Sequence, residues 1–181
     1  MALLPIIVAP DPRLKAVAKP VKQVDDNLRR LMDDMLETMY QAPGIGLAAP
    51  QVGISKRIIV LDLARDDEPP APLCMANPEV VAASEDLAIY EEGCLSLPAY
   101  FSEVERPAEI TVTYLDETGA ARSLDAEGML ATCIQHEIDH LDGVLFVDHI
   151  SRVKRSMILR KLAKAKKSGC IPHVPSSTPA L

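Results

Sequence analysis

The chain has 181 residues, 48% of them hydrophobic and 25% charged, with a formal net charge of −7. This length and composition are typical of one globular domain that buries a core of its own. No hydrophobic run is long enough to span a bilayer. With no Trp, four Tyr and two Phe, the core must consist of aliphatic residues and Met.

Four cysteines stand at positions 74, 94, 133 and 170, and no two of them form a C-x-x-C pair. This spacing excludes a disulfide framework, so we expect a reducing compartment. The N-terminal stretch is apolar, but Pro5 and Pro10 interrupt it and no basic segment leads it, which argues against a signal peptide. We therefore expect a cytoplasmic protein with no membrane partner.

The N-terminal part predicts an irregular arm and one helix. Prolines punctuate residues 1–24, which we interpret as an arm that covers the core. Asp25 or Asp26 can cap the following helix, whose apolar residues recur at helical spacing as far as Tyr40. The stripe is Met-rich, and we interpret it as core. Pro43 and the glycine after it then end the helix.

Strand signals follow in the middle of the chain. A tight turn at 42–51 leads into them, and the Asn77-Pro78 pair predicts a second turn. Gly93 predicts a bulge or kink that re-aims the side chain of Cys94. Strands are expected at 57–62, 73–76, 80–83, 110–114 and 121–124, with an exposed loop at 65–72 and a hairpin turn at 116–119.

Two more helices are predicted near the C-terminus. One spans 126–141, and Ser151 caps a last helix that reaches Lys167. Residues 169–181 hold prolines and small polar residues, which predict a disordered tail. Because the strands precede one central helix, we predict an α+β fold. It is a single domain over residues 1–168, with antiparallel strands packed around the central helix, and a C-terminal helix.

The net charge is unevenly distributed along the chain. Residues 152–167 carry eight of the 19 basic residues and no acidic one, whereas all 26 acidic residues lie at or before Asp148. The last helix therefore carries about +8, and the rest of the chain, with 11 basic and 26 acidic residues, about −15. The pattern fits a solvated surface helix and a docking helix for a polyanionic partner equally well.

Residues 135–140 (QHEIDH) contain the pattern HExxH inside the central helix. Residues four apart lie on one helix face, so His136 and His140 can aim both imidazoles at one metal ion. Glu137 lies beside that point, where a general base for an activated water belongs. Three fixed residues together favour a metal site over two solvated surface histidines.

A catalytic metal site takes three protein ligands, and the usual downstream ligands are missing here. The extended motif HExxHxxGxxH matches through Gly143, but Phe146 stands at its last His position. No Glu follows Glu137, which excludes sites that use a downstream glutamate. Two histidines remain, His149 and His173, and the second lies in the predicted tail.

A cysteine is the remaining type of third ligand. Cys133 shares the helix face of the two histidines, but it lies ~7.5 Å along the axis from a metal level with residue 138. It is better placed in the pocket wall. Cys74 lies in a predicted strand with no neighbouring feature that suggests a metal site. Cys94, next to Gly93, is the best candidate. One thiolate and two neutral imidazoles suit Zn²⁺ or Fe²⁺ better than Mg²⁺ or Ca²⁺.

Three stretches, in order, resemble the signature motifs of bacterial peptide deformylases. They are GIGLAAPQ at 44–51, EGCLSLP at 92–98 and QHEIDHLDG at 135–143. HExxH alone is moderately specific, whereas the ordered trio is highly specific. The resemblance covers roughly residues 5–165 and implies an α+β fold in which the HExxH helix packs among antiparallel strands.

The resemblance implies a role for each matching residue. It places the catalytic acid and base on Glu137, and the oxyanion donors on the Gln51 side chain and the Leu95 backbone N–H. The metal ligands it implies are Cys94, His136 and His140. The substrate-binding positions it implies, on backbone beside the peptide and in the wall of the methionine pocket, are Gly44, Ile45, Gly46, Gly93, Met129 and Cys133.

The resemblance also implies an activity. The family hydrolyses the N-formyl group of N-formyl-L-methionyl peptides, releasing formate during maturation of nascent bacterial polypeptides. It implies one Fe²⁺ per chain, with Zn²⁺, Ni²⁺ or Co²⁺ as substitutes. In the family, the C-terminal helix is associated with the ribosome surface. This association favours the interpretation of the basic helix at 152–167 as a docking helix. We expect a monomer.

Two other functions are weighed against this one. The first is a structural Cys-His-His site, closed by a further ligand such as His149, on a protein that only binds ribosomes. Glu137 and Gln51 argue against it, since a structural site needs neither. The second is a general endopeptidase, against which the missing downstream ligands argue.

Overall fold

The structure is a computed structural model that describes residues 2–64 and 68–171. The predicted disordered tail from residue 172 onward, and residues 65–67 of the predicted loop, lie outside the described residues. The described helices and strands are α1 (Asp26–Gln41), β1 (Gly46–Ala48), β2 (Ile58–Leu61), β3 (Leu73–Ala83), β4 (Leu87–Gly93), β5 (Phe101–Pro107), β6 (Glu109–Leu115), β7 (Ala121–Glu127), α2 (Gly128–Leu141) and α3 (Arg152–Ser168). Short 3₁₀ turns lie at Pro12–Lys15, Ala49–Val52 and Phe146–Asp148.

The strands form two antiparallel sheets that enclose α2. The five-stranded sheet has the order β1-β2-β3-β6-β7, and β4 and β5 form a separate pair. Helix α2 contacts strands of both sheets, and its residues Ala131, Ile134 and Leu141 pack into a core with Ile59 and Met75. The predicted α+β fold, with one central helix and a C-terminal helix, is confirmed.

Helix α1 forms where the sequence predicts it. The Asp25 carboxylate accepts a hydrogen bond from the Leu28 N–H at 2.8 Å, which satisfies one of the donors left free at a helix start. Met32, Met35 and Met39 are buried in a second core. The Met-rich stripe is therefore core, as predicted.

One strand replaces the two that were predicted on either side of Asn77, so the predicted turn was wrong. Strand β3 runs through Asn77 with a φ of 51°, and its pairing with β6 shifts register between Ala76 and Glu79. The Asn77 amide accepts from the Val21 N–H and donates to the Val21 carbonyl, both at 2.8 Å. The turn signal marks a bulge that binds the N-terminal arm.

The prediction missed β1, β4 and β5 and placed the start of α2 too early. β1 lies inside the predicted tight turn, and residues 126–127 end β7. The bulge predicted at Gly93 was also wrong, because β4 and β5 pair without a register shift as far as Gly93 and Phe101. A Cβ at Gly93 would lie 2.4 Å from the Phe101 ring, so glycine admits this ring.

Helix α3 begins at the predicted cap, where the Ser151 hydroxyl accepts from the Lys154 N–H at 3.4 Å. Its buried residues Ile158 and Leu162 attach it to the domain. The Lys166 ammonium donates to backbone carbonyls of the N-terminal arm. No helix among the described residues is long and apolar enough to cross a membrane.

Gly143 and Gly169 follow the ends of α2 and α3 with similar left-handed φ angles, 72° and 70°. Their surroundings differ. A Cβ at Gly143 would lie 2.5 Å from the Lys15 carbonyl oxygen, whereas one at Gly169 would meet nothing within 4 Å. The two glycines therefore separate the cost of the backbone conformation from the cost of the contact.

We expect Gly169→Ala to lower the free energy of unfolding by about 1 kcal/mol, the cost of a left-handed alanine. Gly143→Ala should lower it by about 2–4 kcal/mol, because the Lys15 backbone must also move. Urea denaturation of both variants measures the difference. Equal losses would contradict close packing of the N-terminal arm against the end of α2.

Candidate metal centre and active site

Helix α2 buries two histidines and the glutamate between them. His136 and His140 are each 1% exposed and Glu137 is fully buried. The two imidazole rings lie in an edge arrangement with centroids 5.0 Å apart, as the i, i+4 spacing on one helix face predicts. Burying this face needs polar partners on the neighbouring elements.

Cys94 comes from the segment that follows β4. Its Sγ lies 3.3 Å from His140 Nε2. The ligand atoms of Cys94, His136 and His140 all lie within 4.8 Å of one another. The structure thus brings together the three residues that sequence analysis named as ligands, and Cys133 is not one of this group, as expected. They form a candidate metal site.

The polar atoms of this cluster fit a metal ion. His136 Nδ1 lies 2.8 Å from Glu92 Oε2, while its buried Nε2 has no hydrogen-bond partner in the described part of the chain. A ligating histidine typically holds its second nitrogen against a carboxylate in this way. The donor set of one thiolate and two imidazoles suits Fe²⁺, Zn²⁺, Ni²⁺ or Co²⁺.

Burial sets the protonation of the ligands. It raises the pKa of the Cys94 thiol, and the Glu137 charge raises it further. Burial, followed by the charge of His136, lowers the pKa of His140 well below its usual value. The imidazole is therefore neutral, as a ligand must be, and a nearby cation would favour the thiolate of Cys94.

Glu137 lies beside the ligands without taking part in their contacts. Both of its carboxylate oxygens are buried and find no partner within the residues that the structure describes. Burial, and then the negative charge of Glu92, raise the pKa of Glu137 well above its usual value. A carboxyl group in this setting can take up a proton and give it back.

The 3₁₀ turn after β1 holds Gln51 fully buried beside the cluster. Its Oε1 accepts from the Ala48 N–H at 2.8 Å. This bond directs Nε2 towards Ser96 Oγ at 3.2 Å and Cys94 Sγ at 3.5 Å. Leu95, which lies between Cys94 and Ser96 in the chain, is 5% exposed. The two residues named as oxyanion donors thus lie next to the candidate metal site.

The glycine segment that enters β1 packs directly on this site. A Cβ at Gly46 would lie 2.4 Å from Glu137 Oε1, and one at Gly44 would lie 2.7 Å from Leu95 Cδ1. Any side chain at Gly46 would displace the Glu137 carboxylate. Close approach of backbone, which the sequence predicts from the two glycines, is therefore seen at both positions.

The remaining predicted substrate positions lie at different depths. Cys133 is fully buried, its thiol donates to the Ile45 carbonyl at 3.8 Å, and burial raises its pKa well above the usual value. Met129, on the first turn of α2, is 38% exposed. Ile45 is partly buried against the core around α2. Gly93 directly precedes Cys94.

Sequence analysis missed two buried ionic residues, Glu92 and Arg106. Arg106 donates from Nε and Nη2 to the two Glu92 oxygens at 2.6 and 3.0 Å, and from Nη1 to Asp139 Oδ2 at 2.9 Å. Burial alone would raise the pKa of Glu92, but the bonds from His136 and Arg106 lower it. Glu92 is therefore an anion that orients His136. A signal existed, since Glu92 lies two residues before Cys94 in an extended segment.

Comparison with known proteins identifies one family. The family model for polypeptide deformylase matches residues 3–156. A peptide deformylase of Rhizobium meliloti (strain 1021) is 56% identical over 168 residues, which cover 93% of this chain and 97% of that protein. One from Methylocella silvestris is 60% identical over 170 residues, covering 92% and 87%. The crystal structure of the Ehrlichia chaffeensis peptide deformylase in complex with actinonin has a TM-score of 0.88 at 42% identity, covering 92% of this chain and 99% of that one.

We expect Glu92→Gln to weaken metal binding by about 10–100-fold, the range typical of lost partners to ligating histidines. The variant keeps the side-chain shape and removes the charge that holds His136 and Arg106. Metal affinity is measured by competition with a chelator.

Glu91→Gln is the matched control, because Glu91 is adjacent in β4 and exposed. Circular dichroism reports whether both variants fold. A Glu92→Gln protein that folds and binds metal as tightly as Glu91→Gln would show that Glu92 does not orient a ligand.

Proposed function

The chain belongs to the peptide deformylase family, and from this premise we propose that it hydrolyses the N-formyl group of N-formyl-L-methionyl peptides and releases formate. One observation carries the proposal: Cys94, His136 and His140 form a buried cluster, and Glu137 lies beside it. Both carboxylate oxygens of Glu137 have no hydrogen-bond partner among the described residues. The activity is assigned to one catalytic domain, residues 1–168.

Cys94, His136 and His140 would hold one metal ion per chain, Fe²⁺ by preference with Zn²⁺, Ni²⁺ or Co²⁺ as substitutes. Such an ion supplies Lewis-acid chemistry, polarising a carbonyl and making water acidic enough to react near neutral pH. The protein contributes the dry surroundings, because all three ligands are at most 2% exposed. In such surroundings electrostatic interactions are stronger than in water.

Glu137 moves the proton in this proposal. One of its free oxygens takes the proton of the attacking water and returns it to the amine that leaves with methionine. The Gly46 backbone lies so close to Oε1 that no side chain would fit between them. The raised pKa of Glu137 suits a group that must be base and acid in turn.

Gln51 and Leu95 bind the oxygen on which negative charge develops. The Gln51 Nε2–H₂ group is aimed beside Cys94 by the bond from Ala48 to Oε1, and the Leu95 N–H belongs to the residue after Cys94. Donors fixed before the reaction stabilise the transition state, each by about 3 kcal/mol.

The formyl-methionine lies against the glycine segment and the first turns of α2. Gly44, Ile45, Gly46 and Gly93 offer backbone to the peptide, while Met129 and Cys133 line the methionine side chain together with Ile45. The Ehrlichia chaffeensis relative was solved in complex with actinonin, which supports ligand binding by this fold. Met129 is exposed enough at 38% to contact an incoming substrate.

A structural metal site and a general endopeptidase are the competing functions. A closed structural site has four protein ligands, whereas the cluster found among the described residues has three. Formate release from formyl-Met-Ala-Ser, compared with cleavage of the unformylated peptide, separates the three functions. Metal-loaded protein that releases no formate would favour the structural site.

We also propose that the protein is a cytoplasmic monomer that docks on the ribosome through α3. The helix carries eight basic residues and no acidic one, and seven of the eight are exposed along with Val153 and Met157. Charge reversal of Lys161 and Lys164, both exposed, should weaken co-sedimentation with ribosomes at low salt by about tenfold. Unchanged co-sedimentation would leave α3 as a solvated surface helix.

We expect Glu137→Ala to keep the bound metal and lose about 10²–10⁴-fold in turnover, the contribution typical of general acid–base catalysis. Formate release from formyl-Met-Ala-Ser measures turnover, and metal analysis of the same sample measures occupancy.

Glu103→Ala is the control, because Glu103 is an exposed glutamate on β5. It should match the wild type in both measurements. Near wild-type turnover in Glu137→Ala would refute the proton-transfer role and with it the proposed mechanism.

A further inference from the structure

His149, at the surface, is joined to the candidate ligand His136 by a continuous row of hydrogen bonds. Its Nε2 lies 2.7 Å from Asp139 Oδ2, the same oxygen that accepts from Arg106 Nη1 at 2.9 Å. Arg106 then binds both oxygens of Glu92, and Glu92 binds His136 Nδ1 at 2.8 Å. The side chain of His149 is 36% exposed, whereas that of Glu92 is fully buried.

We propose that His149 is a positioning residue for His136, acting through Asp139, Arg106 and Glu92. The Asp139 side chain is 22% exposed, and His149 gives its carboxylate a second partner besides Arg106. A fixed Asp139 keeps the Arg106 guanidinium in the plane that meets Glu92 in a bidentate pair. The proposal takes from the proposed function only that His136 binds the metal.

The turn that carries His149 is itself held firmly. The His149 N–H donates to the Phe146 carbonyl at 3.0 Å. Asp148 accepts from the Leu145 N–H at 2.8 Å, and it forms ion pairs with Lys15 and Arg155. A positioning residue needs such a rigid base, so the turn gives His149 a fixed point from which to hold Asp139.

The same turn reaches His136 by a second, independent contact. The Phe146 ring stacks on the His136 ring with centroids 6.3 Å apart and 22° between the planes. Phe146 stands where the extended HExxH motif would place a third histidine ligand. The turn therefore contacts the face of the His136 ring through Phe146. It also holds the Nδ1 atom of His136 through the row of hydrogen bonds that begins at His149. Both contacts limit rotation of the ligand ring.

His149→Phe and His149→Gln test the proposal on the Co²⁺-loaded holoenzyme. Phenylalanine keeps a ring and removes the donor to Asp139, whereas glutamine restores a donor. We expect His149→Phe to release Co²⁺ to a chelator about 3–10-fold faster than wild type, less than the loss of a direct ligand partner. His149→Gln should lie within about twofold of the wild type, and the visible Co²⁺ spectrum should shift in His149→Phe alone.

Tyr40→Phe is the matched control, since the Tyr40 hydroxyl donates at 2.6 Å to the buried carboxylate of Asp62, far along the chain from the ligands. It removes a similar bond and should leave Co²⁺ release unchanged. An equal change in Tyr40→Phe would mean that general stability governs release, and unchanged release in His149→Phe would mean that His149 has no hold on the ligand. Either result overturns the proposal.

A double-mutant cycle tests the route. If His149 acts through Glu92, His149→Phe should add no further change in a Glu92→Gln background. If the two substitutions instead multiply each other's effect on Co²⁺ release, His149 does not act through Glu92 and the route is refuted. Should Glu92→Gln fail to fold, the comparison of the two His149 variants with Tyr40→Phe decides alone. Failure of the proposed function looks different, since it appears as absent formate release with normal metal retention.

Discussion

The structure depends on the burial of one polar helix face. Helix α2 places His136, Glu137 and His140 in the interior, and each buried polar group without a partner costs several kcal/mol. The β4–β5 sheet provides polar partners for this face: Glu92 binds His136, and Arg106 binds Glu92. The second sheet thus supplies the partner of His136 Nδ1, while both oxygens of Glu137 stay without a partner among the described residues.

Within this interior, the charges are arranged for orientation more than for stability. A buried ion pair such as Glu92–Arg106 contributes little net stability, because desolvation offsets the attraction. Its bidentate geometry does restrict both side chains. Arg106 lies between two carboxylates, those of Glu92 and Asp139, so one positive charge faces two negative ones. Glu137 and the thiol of Cys94 add further acidic groups, and a cation at the site would offset this excess.

The part of the site on α2 was predictable because its information is local. Helical periodicity alone brings His136 and His140 to one face, and the structure shows them there. Cys94 emerged by excluding other ligands, a weaker argument that the cluster in the structure now supports. The roles of the substrate positions stay predictions, since geometry places residues without showing what they bind.

The missed features share one physical cause, which is dependence on pairing between distant segments. Glu92 and Arg106 lie 14 residues apart and meet because β4 pairs with β5. Asn77 was misinterpreted for the same reason, because its turn conformation is stabilised by Val21, 56 residues away. Local patterns carry no record of such partners, so a turn signal and a bulge signal look alike in the sequence.

The position of Cys94, the third candidate ligand, would link metal binding to the fold. In the extended HExxH motif all ligands come from one short stretch, so the site can form with little of the domain in place. Here Phe146 occupies that position, and Cys94 comes from the end of β4. The three ligand atoms converge only when the β4–β5 sheet is docked on α2, which the contacts among Glu92, Arg106 and His136 bring about. Metal affinity at this candidate site would therefore report the packing of the second sheet, because a metal that binds only the folded chain stabilises that chain against unfolding.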